Sequence, residues 1–182
     1  MSCLLLQSQQ EISSLSEEFI PNIIDDCGAI IMTPYNSESW GEHDNYNISR
    51  RDHPKCEIEC LVNVIKDVAP KDYITAFDEY AKDNLFYACN LFVMKKDDFL
   101  EMCDICFSIL DEYDKRQKYT DNNDVFYKIV KLSHKQHLMF GVNWQVRLQG
   151  FLLEYLTDTY YRYKFGVDNC YKANIGIKLN RI

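Results

Sequence analysis

Two stretches of nearly continuous apolar residues stand out along the chain. The run from Cys27 to Thr33 lies between two aspartates and Pro34, and the run from Phe86 to Met94 contains one amide, Asn90. Short apolar runs of this kind are typical of strands that are buried on both faces. The pattern therefore predicts two interior strands, with Asn90 at the mouth of a cleft, because burying an unpaired amide is unfavourable.

Helical periodicity accounts for most of the remaining chain. Apolar side chains recur at three- and four-residue steps, and Pro21 and Pro70 are expected to lie at helix boundaries. The predicted helices cover residues 10–20, 56–68, 71–83, 96–118, 125–139 and 144–163. The polar stretch 35–52 is predicted to be a long loop, and the alternating tail 173–180 a final edge strand.

The last predicted helix carries two stripes of different character. Its apolar stripe consists of Trp144, Leu148, Phe151, Leu152 and Tyr155. The neighbouring polar stripe consists of Arg147, Gly150, Glu154 and Asp158. One interpretation is close helix packing beside a solvated charged face. The other is a guanidinium and carboxylates directed at a ligand that approaches the backbone at Gly150.

Length, charge and cysteine usage narrow the class of protein. A chain of 182 residues is expected to form a single domain, 1–182, and its net charge of -8 argues against nucleic-acid binding. No signal peptide or run of 18 apolar residues is visible, so we expect any membrane contact to be peripheral. The eight cysteines lie mostly in apolar periodic segments, which predicts reduced thiols and a cytoplasmic location.

Metal-binding patterns are weak in this sequence. Cys103 and Cys106 have the spacing of half a zinc site, and Cys56 and Cys60 could supply the other half. All four fall on predicted amphipathic helices, however, where cysteine commonly serves as a small apolar residue. The run 121–124 offers no D-x-D pattern at a strand end, and its place between two helices predicts capping. No metal ligands are therefore assigned.

Two segments resemble blocks of a known bacterial family. Residues 147–156 read R-x-x-G-F-L-x-E-x-L, and residues 87–99 read Y-x-x-N-L-F-V-M-K-K-x-x-F. Both are similar to signatures of the family catalogued as domain of unknown function 4422, regarded as glycosyltransferases of capsular and other surface polysaccharides. The resemblance covers about residues 25–180, the later part of such a domain.

The resemblance implies an α/β, GT-A-like fold with a partial or shortened central sheet and a helix-rich C-terminal half. It implies transfer of a sugar from a nucleotide-sugar donor to a glycan acceptor, at the inner face of the cytoplasmic membrane. Glu154 becomes the candidate catalytic base, because an inverting transfer needs a carboxylate to accept the proton of the attacking hydroxyl. Asn90, Arg147, Gly150 and Asp158 become candidate substrate-binding residues.

The sequence also departs from the family pattern. Family members carry an earlier nucleotide-binding strand and blocks resembling D-N-x-G-x-N-I-S and H-Y-R-R-Y, and we expect these to precede the region present here. A divalent cation such as Mn²⁺ or Mg²⁺ is possible as a cofactor, but no D-x-D motif supports one. The alternative function is therefore a truncated or degenerate, non-catalytic member that acts as a binding or assembly module.

These departures predict that the 182-residue chain binds a nucleotide-sugar weakly or not at all. Its acidity adds long-range repulsion towards a diphosphate. A ligand at a hundredfold excess over its Kd would stabilise the fold by about 2.7 kcal/mol, which is a melting shift of several degrees. Thermal melts with millimolar UDP-sugars, with and without manganese, are expected to show no such shift. A clear metal-dependent shift would contradict the prediction.

Overall fold

The computed structural model describes residues 19–87, 90–133 and 145–173. Its helices are α1 (Phe19–Cys27), α2 (Asn45–Asp52), α3 (Lys55–Val68), α4 (Lys71–Lys82), α5 (Lys96–Gln117), α6 (Asn122–Ser133) and α7 (Leu148–Lys164). Its strands are β1 (Ala29–Met32), β2 (Tyr35–Asn36), β3 (Leu85–Phe86), β4 (Phe92–Met94) and β5 (Tyr171–Ala173). The expected class, α/β with a shortened sheet and a helix-rich C-terminal half, is confirmed.

Strand β1 is the centre of a three-stranded sheet with the order β4-β1-β5. It pairs antiparallel with β4, where Ile30 lies opposite Val93, and parallel with β5, where Ile30 lies opposite Tyr171. A separate two-stranded ladder joins Tyr35 of β2 to Phe86 of β3. The predicted strand at 27–33 is thus confirmed, and the sheet is mixed rather than mostly parallel.

The two faces of β1 pack against different layers, which is why the strand is buried throughout. Ile30 packs with Ile23, Ile24 and Cys27 of α1 on one face. Ala29 and Ile31 point into the larger core that the other helices build. This alternation follows from the two-residue period of a strand.

The ring of Phe165, just after α7, packs closely against Gly28, just before β1. Gly28 has a φ of 77°, and a Cβ at this position would lie 2.5 Å from a ring carbon of Phe165. Only glycine adopts this conformation without strain and also leaves room for the ring. The turn between α1 and β1 is therefore fixed by packing against the residue that follows α7.

The second predicted strand, 86–94, is wrong as a single element. Two short strands replace it, and between them Asn90 has a φ of 47°, which is the left-handed region that asparagine tolerates better than most residues. β4 lies at the edge of the described sheet and its Val93 is exposed. The amide in the apolar run therefore marks a turn, not an interior strand position.

Two further expectations need correction in the N-terminal part of the chain. Pro21 lies within α1 instead of ending a helix, and the part of the predicted helix 10–20 that precedes Phe19 lies outside the described residues. The predicted loop 35–52 contains β2, a short 3-10 helix at Ser37–Trp40, and α2. Asp44 caps α2 by accepting a hydrogen bond from the Asn47 amide at 2.7 Å. A polar helix of this kind lacks the apolar period that would have predicted it.

The helices predicted from residues 56–68, 71–83 and 96–118 are confirmed as α3, α4 and α5, and the described part of 125–139 as α6. The apolar period of α5 predicts one stripe of Phe99, Cys103, Cys106, Phe107, Leu110 and Tyr113, but the buried face differs from it. That face consists of Met102, Cys106, Ile109, Leu110 and Tyr113, whereas Phe99 and Phe107 are exposed. Residues 134–144 and 174–182, including most of the predicted edge strand, lie outside the described residues.

Helix α7 lies at the centre of the helical layer. The Tyr73 hydroxyl of α4 donates to the Leu156 carbonyl at 2.7 Å, and the Tyr160 hydroxyl donates to the Asp98 carbonyl of α5 at 2.8 Å. Residues 155–161 are all buried, so this part of α7 has no solvated face. Within the described residues, no helix has the length and apolarity that a membrane span requires.

Candidate functional site

An open groove with a volume of about 550 Å³ lies where the start of α7 meets the start of α6. Its lining residues are Asn122, Asn123, Phe126, Val146, Arg147, Gln149 and Gly150. They supply amides, one guanidinium and one aromatic ring around a mostly apolar surface. Small-molecule sites commonly have this size and this mixture of apolar surface with a few polar groups.

Capping interactions build the α6 wall of the groove. The Asp121 carboxylate accepts hydrogen bonds from the amides of Asn123, at 2.7 Å, and Asp124, at 3.1 Å. Asp124 in turn accepts from the amide and hydroxyl of Thr120, and these hydrogen bonds hold its pKa below the usual value. The predicted capping role of residues 121–124 is confirmed. Asn122 and Asn123 are thereby held at the groove by the helix start itself.

The opposite wall carries two of the sequence-predicted residues, Arg147 and Gly150. Arg147 is exposed and immediately precedes α7, and its carbonyl accepts a hydrogen bond from the Gly150 amide at 2.9 Å. Gly150 therefore lies in the first helical turn, not in mid-helix. A Cβ at Gly150 would meet no atom within 4 Å in the described structure, so close packing does not explain this glycine.

A buried histidine positions the segment that leads into the groove. Gln145 donates from Nε2 to the Asp52 carbonyl at 2.6 Å, and its Oε1 lies 2.9 Å from His53 Nδ1. The amide oxygen is the acceptor in this pair, so Nδ1 carries the proton. Burial lowers the pKa of His53, and its ring packs 4.8 Å from that of Phe151. The residues before α7 are thus anchored to the α2–α3 junction.

Asp158 lies in a different environment from Arg147, although the two share the predicted stripe. Its carboxylate is fully buried, and it accepts hydrogen bonds from the Tyr87 amide at 2.8 Å and from Arg162 Nε at 3.1 Å. Arg162 also donates to Asp83, at 2.7 Å, and to the Leu85 carbonyl, at 3.1 Å. Both oxygens of Asp158 are therefore engaged in holding the chain together.

Sequence reasoning missed Arg162, although its spacing from Asp158 was a usable signal. An acidic residue four positions before a basic one on a helix is the favourable order for an ion pair. Here the pair is enclosed, and burial raises the pKa of Asp158 to about 7 while Arg162 and the Tyr87 amide lower it. The cluster of Asp83, Asp158 and Arg162 is called the buried charge cluster below.

The five sequence-predicted site residues do not converge on one described cavity. Arg147 and Asp158 are eleven positions apart, which corresponds to roughly 16 Å along a helix axis. Glu154 lies between them, one turn before Asp158, and is half-buried. Asn90 lies in the β3–β4 turn, and its side-chain oxygen accepts no hydrogen bond from the described residues. The structure places Arg147 and Gly150 in the groove, and Asp158 in the buried charge cluster.

No group of three or more His, Cys, Asp or Glu side chains in the described ranges is arranged to hold a metal ion. Of the cysteines considered for zinc, Cys106 is buried in the core, Cys56 is exposed, and Cys60 and Cys103 are half-buried. All four are free thiols. Cys106 lies on the buried face of α5, as its amphipathic pattern predicted, whereas Cys56 lies on the exposed side of α3.

The fold is shared with part of a larger solved protein. The chain is similar to a solved structure described as the apo form of the bifunctional glycosyltransferase WbbM, with a TM-score of 0.61 and 21% identity over 88% of this chain. It spans 25% of the length of that protein. A family model matches residues 5–164, and the chain belongs to this family, which is described as a domain of unknown function, DUF4422. No curated protein matches the chain.

Residues 44–49 resemble, in shortened form, one of the blocks that we expected to precede this chain. Asp44 and Asn45 supply its D-N, and residues 47–49 supply its N-I-S, with one residue between them instead of three. Asn45 is buried and donates to the carbonyls of Tyr80, at 3.0 Å, and Leu85, at 2.8 Å. The block therefore forms α2 and fastens it to the connection between α4 and β3.

The buried charge cluster leads to a prediction about pH. The folded-state pKa of Asp158, about 7, lies above the roughly 3.9 of an unfolded aspartate. Between these two pKa values the folded state holds a proton that the unfolded state has lost. The resulting stabilisation is fully present below the unfolded-state pKa and is lost as the pH rises to about 7. The stability cost of Asp158→Asn is therefore expected to shrink between about pH 5 and about pH 8.

Urea unfolding of the wild type and of the Asp158→Asn variant across this pH range measures the difference in their free energies of unfolding. At the acid end we expect a cost of about 1–3 kcal/mol, because the amide nitrogen of the Asp158→Asn variant cannot accept one of the two hydrogen bonds in this closed site. Asp78→Asn, an exposed change on α4, is the matched control and should show a small, flat difference. A cost that grows with pH would contradict the raised pKa.

Proposed function

We propose that this chain is a glycosyltransferase-family domain that binds a glycan acceptor in the groove between α6 and α7. Three findings support the proposal: the family membership, the shared fold and the position of the R-x-x-G segment at the groove. The third carries most weight. It places Arg147 and Gly150, the two sequence-predicted residues at the start of α7, beside the amides of α6.

The groove has the chemistry that sugars require. Asn122, Asn123 and Gln149 provide amide donors and acceptors for hydroxyl groups, and Phe126 provides an aromatic face for the apolar side of a pyranose ring. The guanidinium of Arg147 can donate two parallel hydrogen bonds to a carboxylate or phosphate. Because Gly150 has no side chain, the first turn of α7 leaves space for a ring to approach.

The proposed reaction transfers a sugar from a nucleotide-sugar donor to a hydroxyl of this acceptor, as part of bacterial surface polysaccharide synthesis. Glu154 is the proposed base, because it lies one turn beyond Gly150 on α7. Asn90 remains a proposed substrate contact in the β3–β4 turn. For Asp158 we propose a positioning role through Arg162, since its carboxylate is enclosed.

The proposed location is the cytoplasm, at the inner face of the membrane, where an acceptor under assembly would be reached without a span. The free thiols of the described cysteines support a reducing compartment. A divalent cation such as Mn²⁺ or Mg²⁺ is the proposed cofactor, and no cluster of three or more metal-ligating side chains occurs among the described residues. The alternative, a non-catalytic binding or assembly module, differs only in lacking the transfer step.

Replacing Arg147 by alanine is expected to weaken glycan binding at least about tenfold, which corresponds to roughly 1.4 kcal/mol. The loss arises because the groove would lose its cation and its paired donors. An array of bacterial surface oligosaccharides would identify a binder, and calorimetry would give the Kd for both proteins. Lys82→Ala removes the same charge from an exposed position at the end of α4 and should leave the Kd unchanged. Equal weakening by both variants would contradict a specific groove contact.

If the wild-type chain transfers a sugar, replacing Glu154 by glutamine is expected to lower turnover by at least roughly a hundredfold, because the variant cannot accept the hydroxyl proton. Binding of the array-selected glycan should persist. Turnover is measured with radiolabelled nucleotide-sugars and that glycan, and Glu79→Gln on the exposed face of α4 is the control. A Glu154 variant with unchanged turnover would exclude it as the base. Glycan binding without any transfer by the wild-type chain would support the non-catalytic alternative.

A further inference from the structure

Helix α5 carries an exposed apolar stripe that the core does not use. Phe99, Leu100 and Phe107 are 41%, 47% and 51% exposed, and Cys103 is half-buried between them. At 100° per residue these four side chains lie within about 100° of one another, to one side of the buried face. We call Phe99, Leu100, Cys103 and Phe107 the α5 stripe.

Charged residues of opposite sign lie at the two ends of this stripe. Lys96 is exposed one turn before Phe99, and Asp111 is exposed one turn after Phe107. Among the described residues neither side chain forms an ion pair of 4.0 Å or less with another residue. The stripe therefore runs from a cation, through four apolar side chains, to an anion.

This order is self-complementary under a two-fold rotation. In an antiparallel pair of α5 helices centred on Cys103, Phe99 of one copy lies opposite Phe107 of the second copy. Lys96 lies seven residues before the centre and Asp111 eight residues after it. At 1.5 Å per residue the two differ by about 1.5 Å along the axis, which a lysine side chain easily spans. Both ends would therefore form an ion pair, while the apolar side chains meet in the middle.

We propose that the α5 stripe is the interface of a symmetric homodimer. A two-fold interface needs one patch that complements itself, and this arrangement of charge and apolar surface meets that condition. Burial of the two phenylalanines and Leu100 in both copies provides the driving force. A single helix face is a small interface, so the dimer is expected to be weak, with a Kd in the micromolar range.

Sedimentation velocity of the full chain tests the proposal. The wild type is expected to shift from monomer to dimer between micromolar and about half-millimolar concentration. Phe107→Glu should remain monomeric throughout, because it places a carboxylate against Phe99 of the other copy on each side of the centre. Tyr127→Glu replaces a 69% exposed aromatic on α6 and should dimerise like the wild type. A wild type that stays monomeric at the highest concentration, or a dimer unaffected by Phe107→Glu, would overturn the proposal.

Charge reversal tests the antiparallel geometry independently of folding defects. Lys96→Asp and Asp111→Lys should each weaken dimerisation at least about tenfold, since each places like charges opposite one another. The double variant restores opposite charges across the interface and should recover the wild-type Kd. Failure of the double variant to recover would overturn the arrangement. A short bismaleimide should also join the two copies through Cys103, because packed helix axes lie 8–10 Å apart, roughly the linker's reach, and Cys103→Ser should abolish that product.

Discussion

The enclosed guanidinium of Arg162 is the constraint on which most of the fold depends. A charge removed from water must be paired and hydrogen-bonded, because an uncompensated one costs several kcal/mol. Arg162 meets that requirement with Asp158 on its own helix, Asp83 at the end of α4 and the Leu85 carbonyl in β3. Asp158 then holds the Tyr87 amide with its second oxygen. One side chain thereby fixes α4, the β3 region and α7 relative to one another.

A second buried charge fixes the other wall of the groove. Glu57 of α3 is fully buried, accepts a hydrogen bond from the Tyr113 hydroxyl, and pairs with Lys128 of α6 at 2.7 Å. Helix α6 is therefore held against α3 and α5 by its middle, while its first turn remains at the surface. The groove lies between the first turns of α6 and α7, and the later turns of both helices are held in place by these buried charged groups. Side chains on such rigid elements are positioned more precisely than side chains on loops.

Sequence reasoning succeeded where local pattern and burial agree, as in β1 and in helices α3, α4 and α5. It failed at Asn90, because a single amide in an apolar run is compatible both with a strand that ends at a cleft and with a left-handed turn. Only the tertiary packing distinguishes these two possibilities. Half of the groove was predictable, since Arg147 and Gly150 lie on a helical stripe. The α6 half was not, because Asn122 and Phe126 reach the groove only through the packing of separate helices. Asp158 was predicted to bind a ligand because it lies on the same helical stripe as Arg147 and Gly150. Helical periodicity shows which residues share a stripe, but it does not show which turns of the helix are buried by the rest of the fold.

The R-x-x-G-F-L-x-E-x-L segment contributes both to the core and to the groove, because the helical period directs its side chains to different sides of α7. Leu152 and Leu156 are fully buried, and Phe151 packs on the His53 ring, so these positions seat α7 in the core. Arg147 and Gly150 belong to the same segment, but they precede the enclosed turns and lie at the groove. A displacement of the apolar positions by one residue would rotate the first turn by about 100° and carry the guanidinium away from α6. The spacing within the segment therefore sets the geometry of the groove as well as the packing of the helix.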